Sequence, residues 1–589
     1  MEKSLFEEFK SNWKSVLIIF ILFTLIEGGV LYLSTRENGG ATYPLPTNTP
    51  NNSDDISQFR NLVLSFVRKT AEMGDSPSGT VPHPEELVIE GNWEIRLAIY
   101  HQGEIKGEAQ SKGGILASVL EQATKIVFED KRAKDLVKED LEDVRFLVNF
   151  LSPPERFSFI EHEGKGVEII DDLVLVREID KELILEKIRR GKEFLYKMAN
   201  EEKQGFYKKY DVLNDSFENR LYTPYSASII YTFLYIYDLE KDEEILEHIP
   251  AWGDFLLSMQ NKDEGDKGYG AFSYSLFLGD SSAGTWGTVL TGLSPEKKFV
   301  VGTSALSIFT LLRLYDLTGD LKYLESAKLA GNWLATMQNS DGSMKAYLEY
   351  SKGKWVYGEK LSLLYNGQVL SSLSKLYKTT NDKKYYDLAR GIAELFAGKY
   401  EKERGYIEDE YREKNPISNA WVVMSLIDFY KTKQAGDSLA GTVPNIIFEL
   451  SEKILANQKN EEDDLLYYGG WGGAYSSSGT GWISEVMAET YRFCKEERGE
   501  DCDKYKEGVI KAIRWLIQNT YSEENTFFLK NPEKAIGGVF WNKLNKYVRT
   551  DSVCHALNGY IRIIDDLDKG SLLSVPERPL EEILEKLRN

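Results

Sequence analysis

The chain has 589 residues, 42% hydrophobic and 12% aromatic, enough to bury a sizeable core in two or more domains. Its formal net charge of −21 excludes a nucleic-acid-binding surface, which needs a basic excess. Three cysteines and five histidines, with no paired CxxC and no HExxH, exclude a zinc site of those kinds, and the sequence calls for no cofactor and no metal.

In chain order, residues 16–33 come first as an element. They are apolar except for Thr24, Glu27 and two glycines, long enough to cross a bilayer core, and no A-x-A cleavage step follows Leu33. Lys3, Lys10 and Lys14 precede this span and only Arg36 follows it closely. The charge bias predicts a single-pass cell-membrane protein with a cytoplasmic N-terminus and the large domain outside. Residues 1–35 are thus a cytoplasmic tip and transmembrane anchor, and 36–57, rich in Pro, Gly and Asn, a linker. Abundant Glu, Lys, Ile and Tyr lean towards a thermophilic source.

Residues 58–178 alternate between periods. Phe59 to Glu72 and Ile115 to Phe128 have helical spacing, whereas Trp93 to Tyr100 and Val144 to Leu151 alternate as strands, so a small α+β domain is expected. Tyr100-His101-Gln102-Gly103-Glu104-Ile105-Lys106-Gly107, Asp130-Lys131-Arg132 and Phe150-Leu151-Ser152-Pro153-Pro154 resemble the AMMECR-type domain. Where that family has Arg-Gly-Cys-Ile-Gly, this chain has Lys106-Gly107-Glu108-Ala109-Gln110, so no chemical role carries over.

Between 179 and 567 one plan recurs six times: an amphipathic helix, a Gln/Asn-rich turn, a Gly-aromatic loop and a less polar helix. The loop steps are Gly205-Phe206, Gly268-Tyr269, Asp341-Gly342, Gly405-Tyr406, Gly470-Trp471 and Gly538-Val539-Phe540. A lone hairpin cannot bury its apolar stripe, so neighbours must stack. Six stacked hairpins predict an (α/α)6 toroid, with an open superhelix as the alternative, and 568–589 form a C-terminal tail. Cys494 and Cys502 flank a short acidic loop, and their pairing stays open.

The long loops and the first turns of the less polar helices supply the candidate site. They carry Glu410, Tyr411 and Asn419; Trp471 and Tyr475; Arg549, Asp551 and His555; and Tyr222, Tyr365 and Asn366. Aromatic rings with carboxylates and amides suit sugars, which offer CH faces and hydroxyls. Each residue also has a packing reading. Asp551 and His555, four apart, equally form a capping pair on one helix face.

Gly367-Gln368-Val369-Leu370, Thr380-Asn381-Asp382 to Tyr385, Tyr406-Ile407-Glu408-Asp409-Glu410-Tyr411, Pro416 and Ser425-Leu426-Ile427 resemble the C-terminal region of D-glucuronyl C5-epimerases. The resemblance puts Tyr411 on a catalytic tyrosine and Glu410 on the acidic residue before it; the family's Asp-Tyr-His-Thr-Thr-His segment has no equivalent here. It implies proton abstraction beside the C6 carboxylate of a polymer-linked uronate, with His555 or Tyr475 on the opposite face and Arg549 holding the carboxylate. Arg549, Tyr365, Asn366, Asn419, Trp471 and Tyr222 are then the substrate contacts and Tyr411, Glu410, His555, Asp551 and Tyr475 the catalytic set. The expected partner is a cell-surface polysaccharide or glycan. A glycoside hydrolase or polysaccharide lyase is one alternative, with Asp551 and Glu410 as the hydrolytic carboxylates. A non-catalytic glycan-binding or envelope scaffold protein is the other.

Overall fold

The computed structural model describes residues 54–588 except 74–80, 137, 152–156, 163–164, 171–172, 280–294, 413, 433–437, 462–463, 472–475, 543–544 and 576–579. The span expected at 16–33 and most of the 36–57 linker lie outside the described residues. No helix among the described residues is long and apolar enough to cross a membrane. The expected single-pass membrane location is corrected on that finding, since nothing described supplies the apolar helix of roughly 20 residues it requires.

An antiparallel sheet of six strands, ordered β2-β1-β3-β4-β5-β6, forms the first layer: β1 Glu90–His101, β2 Glu104–Ile115, β3 Arg145–Phe150, β4 Phe157–His162, β5 Lys165–Ile170 and β6 Leu173–Val174. Gln102 (φ 50) and Gly103 (φ 77) make the β1–β2 turn, and two positive φ values match the twist of a two-residue hairpin. Alternation in β1 sends Trp93, Ile95, Leu97 and Ile99 to one face, where they are buried with residues of helices α1 (Asp54–Met73) and α2 (Leu116–Val127). The other face presents Ala98, Leu147, Ile160 and Ile169 to Phe527, so the sheet docks directly on the helical ring. The fit is close at Gly103, where a Cβ would sit 2.2 Å from the Leu529 carbonyl oxygen.

Twelve helices build that ring. The outer ones are α3 (Lys181–Lys197), α5 (Glu243–Ser258), α7 (Leu321–Thr336), α9 (Lys383–Glu403), α11 (Val443–Leu455) and α13 (Asp503–Gln518). The inner ones are α4 (Thr223–Glu240), α6 (Val301–Thr318), α8 (Leu363–Thr380), α10 (Pro416–Tyr430), α12 (Ser477–Glu497) and α14 (Thr550–Ile563). Each inner helix packs on the next, and α14 packs back on α4, so the ring closes and the open superhelix is excluded. Every outer helix rests on its two inner neighbours. The less polar helices are inner because little of their surface stays exposed: α10 buries Asn419 through Ile427 without a break.

Short turns close one end of the ring. Lys241, Gly319 and Asn381 adopt left-handed φ values of 56°, 69° and 54°, and Asp242, Asp320 and Asp382 then cap the next outer helix by accepting the backbone N–H two residues on. Long loops fill the other end, and the glutamines there are structural clamps. Gln260, Gln338 and Gln458 each donate to the carbonyl of a loop glycine (Gly270, Gly342, Gly469) and to a carbonyl of the following outer helix. These glycines have φ of 86° to 95° and abut backbone of that same helix.

The C-terminal residues, expected as a tail, are also built in. Ser571–Ser574 pairs with Glu178–Asp180, and a last helix, α15 (Leu580–Arg588), puts Ile583 and Leu584 into the α1/α2 side of the sheet. Cys494 and Cys502 form a disulfide across the turn from α12 to α13.

Candidate active site

A cavity of about 300 Å³ lies on the ring axis, lined by all six inner helices. Its walls begin beyond the first turn of each helix and run towards the short-turn end. Among its lining residues, α12 gives Trp482, Glu485 and Glu489, α14 gives His555, Asn558 and Arg562, and Lys375, Lys378, Asp428 and Lys431 add charge from the facing side. Both triplets are spaced by three and then four residues, which keeps each on one helix face.

Glu485 is the centre of this wall, 4% exposed. Its Oε2 lies 3.1 Å from His555 Nδ1 and 3.5 Å from Asn558 Nδ2, and Arg562 Nε stands 3.3 Å from Oε1 as an ion pair. Burial pushes the Glu485 carboxyl up, but the His555 hydrogen bond and the Arg562 charge outweigh it and hold the group below the usual carboxylate range. Glu489 is also penalised by burial, but Arg562 donates to it at 2.8 Å and Lys431 at 2.6 Å, and these two charges hold its carboxyl at about 2. Arg562 also donates to Tyr235 Oη, 2.8 Å away, which in turn is 2.9 Å from Tyr231 Oη. Burial keeps both phenols above their ordinary value and therefore protonated. Above this network Trp421 and Trp482 stack with centroids 3.8 Å apart, and Trp482 lies 5.3 Å from the His555 ring.

With Nδ1 committed to Glu485, Nε2 is the His555 nitrogen left for a ligand, and the side chain is 23% exposed. A histidine oriented by a carboxylate is equipped to take up and return a proton. The stacked indoles and the polar floor are suited to a ring with a CH face and hydroxyls.

A second cluster sits at the long-loop end. Arg549 makes a bidentate pair with Asp551 at 3.0 and 2.6 Å, donates to Tyr225 Oη at 2.8 Å and stacks 3.9 Å from the Trp541 ring centroid. Ser478 donates to Asp551 as well. Tyr222 packs edge-on against Tyr225 and Tyr274, with the Lys208 ammonium 5.0 Å from its ring. Tyr365 is half-buried, and burial raises its phenol.

The residues expected from sequence therefore separate. His555 lines the axial cavity, while Arg549, Asp551 and Tyr222 belong to the long-loop cluster. Tyr411 is 45% exposed, and Glu410 is exposed and accepts from the Leu361 N–H; neither lines the cavity. Asn366, Asn419 and Trp471 are buried and do not line the cavity. Asn366 Oδ1 accepts the Met344 N–H, Asn419 Oδ1 accepts the Ile407 N–H, and the Trp471 backbone N–H goes to Thr480 Oγ1. Ser226 and Ser304 take the same place for Phe206 and Phe272, so this is the repeat's own joint between loop and inner helix. Tyr475 lies outside the described residues. Asp551 and Glu410 have separate partners, Ser478 and Arg549 for the first and the Leu361 N–H for the second.

Sequence reasoning passed over Glu485, Glu489, Asn558, Arg562 and the two indoles. The available signal was slight: charged and amide side chains at three-and-four spacing on two inner helices.

No protein family matches the sequence, and no curated protein does. Solved structures match the fold. Cellobiose 2-epimerase from Bacillus thermoamylovorans B4167 superposes with a TM-score of 0.51 at 12% identity, covering 66% of this chain and 100% of its own. Cellobiose 2-epimerase from Spirochaeta thermophila DSM 6192 gives 0.50 at 12%, covering 66% and 96%. A sugar epimerase from a ruminal bacterium gives 0.50 at 11%, covering 66% and 99%. These likenesses establish the fold, the toroid of helical hairpins. None of the three is an AMMECR-type protein or a D-glucuronyl C5-epimerase.

Proposed function

We propose that this chain is a carbohydrate-active enzyme that moves a proton on a sugar, an epimerase or isomerase in type. The observation that carries the reading is the His555–Glu485 pair on the ring axis beside stacked indoles. His555 Nε2 takes the proton from a carbon next to a carbonyl or carboxylate, and Glu485 positions the ring and stabilises the imidazolium that results. Return of the proton to the same carbon after the planar intermediate turns its other face to His555 inverts that carbon, and its return to the neighbouring carbon gives an isomer. Tyr231 and Tyr235, kept protonated by burial, are hydrogen-bond donors for the oxygen that gains charge.

Glycoside hydrolysis is disfavoured by the same wall. A general-acid carboxyl must hold its proton near neutral pH, whereas Glu485 and Glu489 are both held below the usual range. The fold likeness to sugar epimerases agrees with proton transfer, by analogy only. A uronate, with its C6 carboxylate beside C5, is one substrate for this chemistry, and Arg549, Tyr222 and Tyr365 are the contacts proposed for the remainder of a longer glycan. The α+β layer is proposed as a docking piece.

The test is incubation of the full-length protein in D2O with cellobiose, D-mannose and uronate polysaccharides, read by NMR. Deuterium at C2 or C5, lost in His555→Gln, is expected. New reducing or unsaturated ends without exchange would move the assignment to a hydrolase or lyase.

A further inference from the structure

Three side-chain atoms in the wall of the axial cavity are buried without a hydrogen-bond partner: Trp482 Nε1, Asn558 Oδ1 and Arg562 Nε. Arg562 Nε has its charge met by Glu485 at 3.3 Å. The other two have no such compensation. Trp482 and Asn558 are 4% and 5% exposed, and a buried polar atom left unmatched costs about 1–3 kcal/mol, so each needs an explanation.

Their chemical sense is fixed. An indole N–H only donates. An amide has two ends, but Asn558 turns its NH2 to Glu485, whose ionised carboxylate accepts and cannot donate; Oδ1 is therefore the end left over, an acceptor. One donor and one acceptor thus sit on adjacent inner helices, three residues from Glu485 and from His555 respectively. Orphaned indoles Trp252 and Trp333 also occur, but on outer helices that do not line the cavity.

We infer that Trp482 Nε1 and Asn558 Oδ1 form a hydroxyl-recognition subsite that seats one neutral pyranose ring beside His555. This rests on the carbohydrate reading above and deepens it by naming the groups that select the sugar. A ring hydroxyl both donates and accepts, so a pair of neighbouring hydroxyls satisfies both atoms at once. The cavity, about 300 Å³, is at the small end of ligand pockets and suits one ring rather than an oligosaccharide. A site whose buried polar groups wait for a hydroxyl discriminates against the analogue that lacks it, because that analogue leaves them unpaired.

The experiment is binding of D-glucose and its monodeoxy analogues to the full-length protein by titration calorimetry, with Asn558→Leu and Trp482→Phe compared to wild type and the fold of each checked by circular dichroism. Wild type is expected to bind at least one monodeoxy analogue about tenfold more weakly than glucose, and this ratio is expected to fall to about one in Trp482→Phe, whose shape change is small, and in Asn558→Leu. Glucose binding with an unchanged ratio in both folded variants overturns the subsite and leaves the carbohydrate reading standing. No binding of glucose to folded wild type, with proton exchange on another sugar, overturns the subsite alone; no binding and no exchange on any sugar overturn both.

Discussion

His555 and Glu485 come from neighbouring inner helices and meet at 3.1 Å, the one histidine–carboxylate contact in the wall of the axial cavity among the described residues. The pair is tied further down to Arg562, which also holds Glu489 and Tyr235. Proton transfer and the packing of the axis thus share one network.

Replacing Glu485 by Gln keeps the shape and removes the charge. The imidazolium formed during turnover loses its stabilising partner, and kcat is expected to fall by about 10²-fold or more. Arg562 keeps Glu489, so the protein remains folded, with a stability loss on the order of 3 kcal/mol for the broken buried pair. Steady-state kinetics beside urea unfolding measures both. Unchanged kcat in folded Glu485→Gln would remove Glu485 from the mechanism.

Acid sensitivity follows from Glu489. Its folded carboxyl is held at about 2 against an ordinary value of 4.5, a depressed group, so its stabilising contribution is present above about 4.5 and is lost as pH falls from there towards 2. The contribution is roughly 3 kcal/mol when fully present. Glu485 shifts in the same direction. Urea midpoints of wild type are expected to drop between pH 6 and pH 3, and Glu489→Gln, less stable at pH 6, is expected to show a shallower drop. Parallel pH curves for the two proteins would contradict the assignment.

The ring was readable because each hairpin repeats the contrast between an amphipathic outer helix and an apolar inner one, and because helix ends carry Gln, Gly and Asp at fixed places. The site was less so. Glu485 and Glu489, four apart, look like an ordinary solvated helix face; only the ring's closure shows that their face points to the axis. Asn366 and Asn419 misled in the opposite direction, since an amide at the start of an inner helix looks the same whether it takes a sugar hydroxyl or, as here, a loop N–H. His555 stands out through scarcity, but spacing offers it Asp551 on its own helix, whereas the carboxylate it meets belongs to the neighbouring one.

The loop glycines make a stability contrast. Gly469 has φ 95°, and a Cβ there would lie 2.0 Å from the Lys511 carbonyl oxygen, so Gly469→Ala must both strain the backbone and push α13 outward. A loss of at least about 2 kcal/mol is expected. Gly398, exposed in α9 with nothing near its Cβ position, is the control: Gly398→Ala is expected to stabilise by about 0.5–1 kcal/mol. Thermal unfolding of the two variants side by side decides; equal midpoints would mean that the clamp yields.

Tyr411 separates the axial site from a rim site. Tyr411 is 45% exposed, the Lys360 ammonium lies 5.9 Å from its ring centroid, and burial together with the nearby Tyr347, Tyr365 and carboxylates raises the phenol, which leaves it protonated and so unavailable as a base at neutral pH. Removing the hydroxyl in Tyr411→Phe leaves every cavity-lining residue in place. Deuterium exchange by Tyr411→Phe is therefore expected within about threefold of wild type, while His555→Gln loses it by about 10²-fold or more. The reverse pattern, a dead Tyr411→Phe and an active His555→Gln, would put the chemistry at the rim, with Tyr411 and Glu410 as its centre and the axial network reduced to the polar packing of the inner helices.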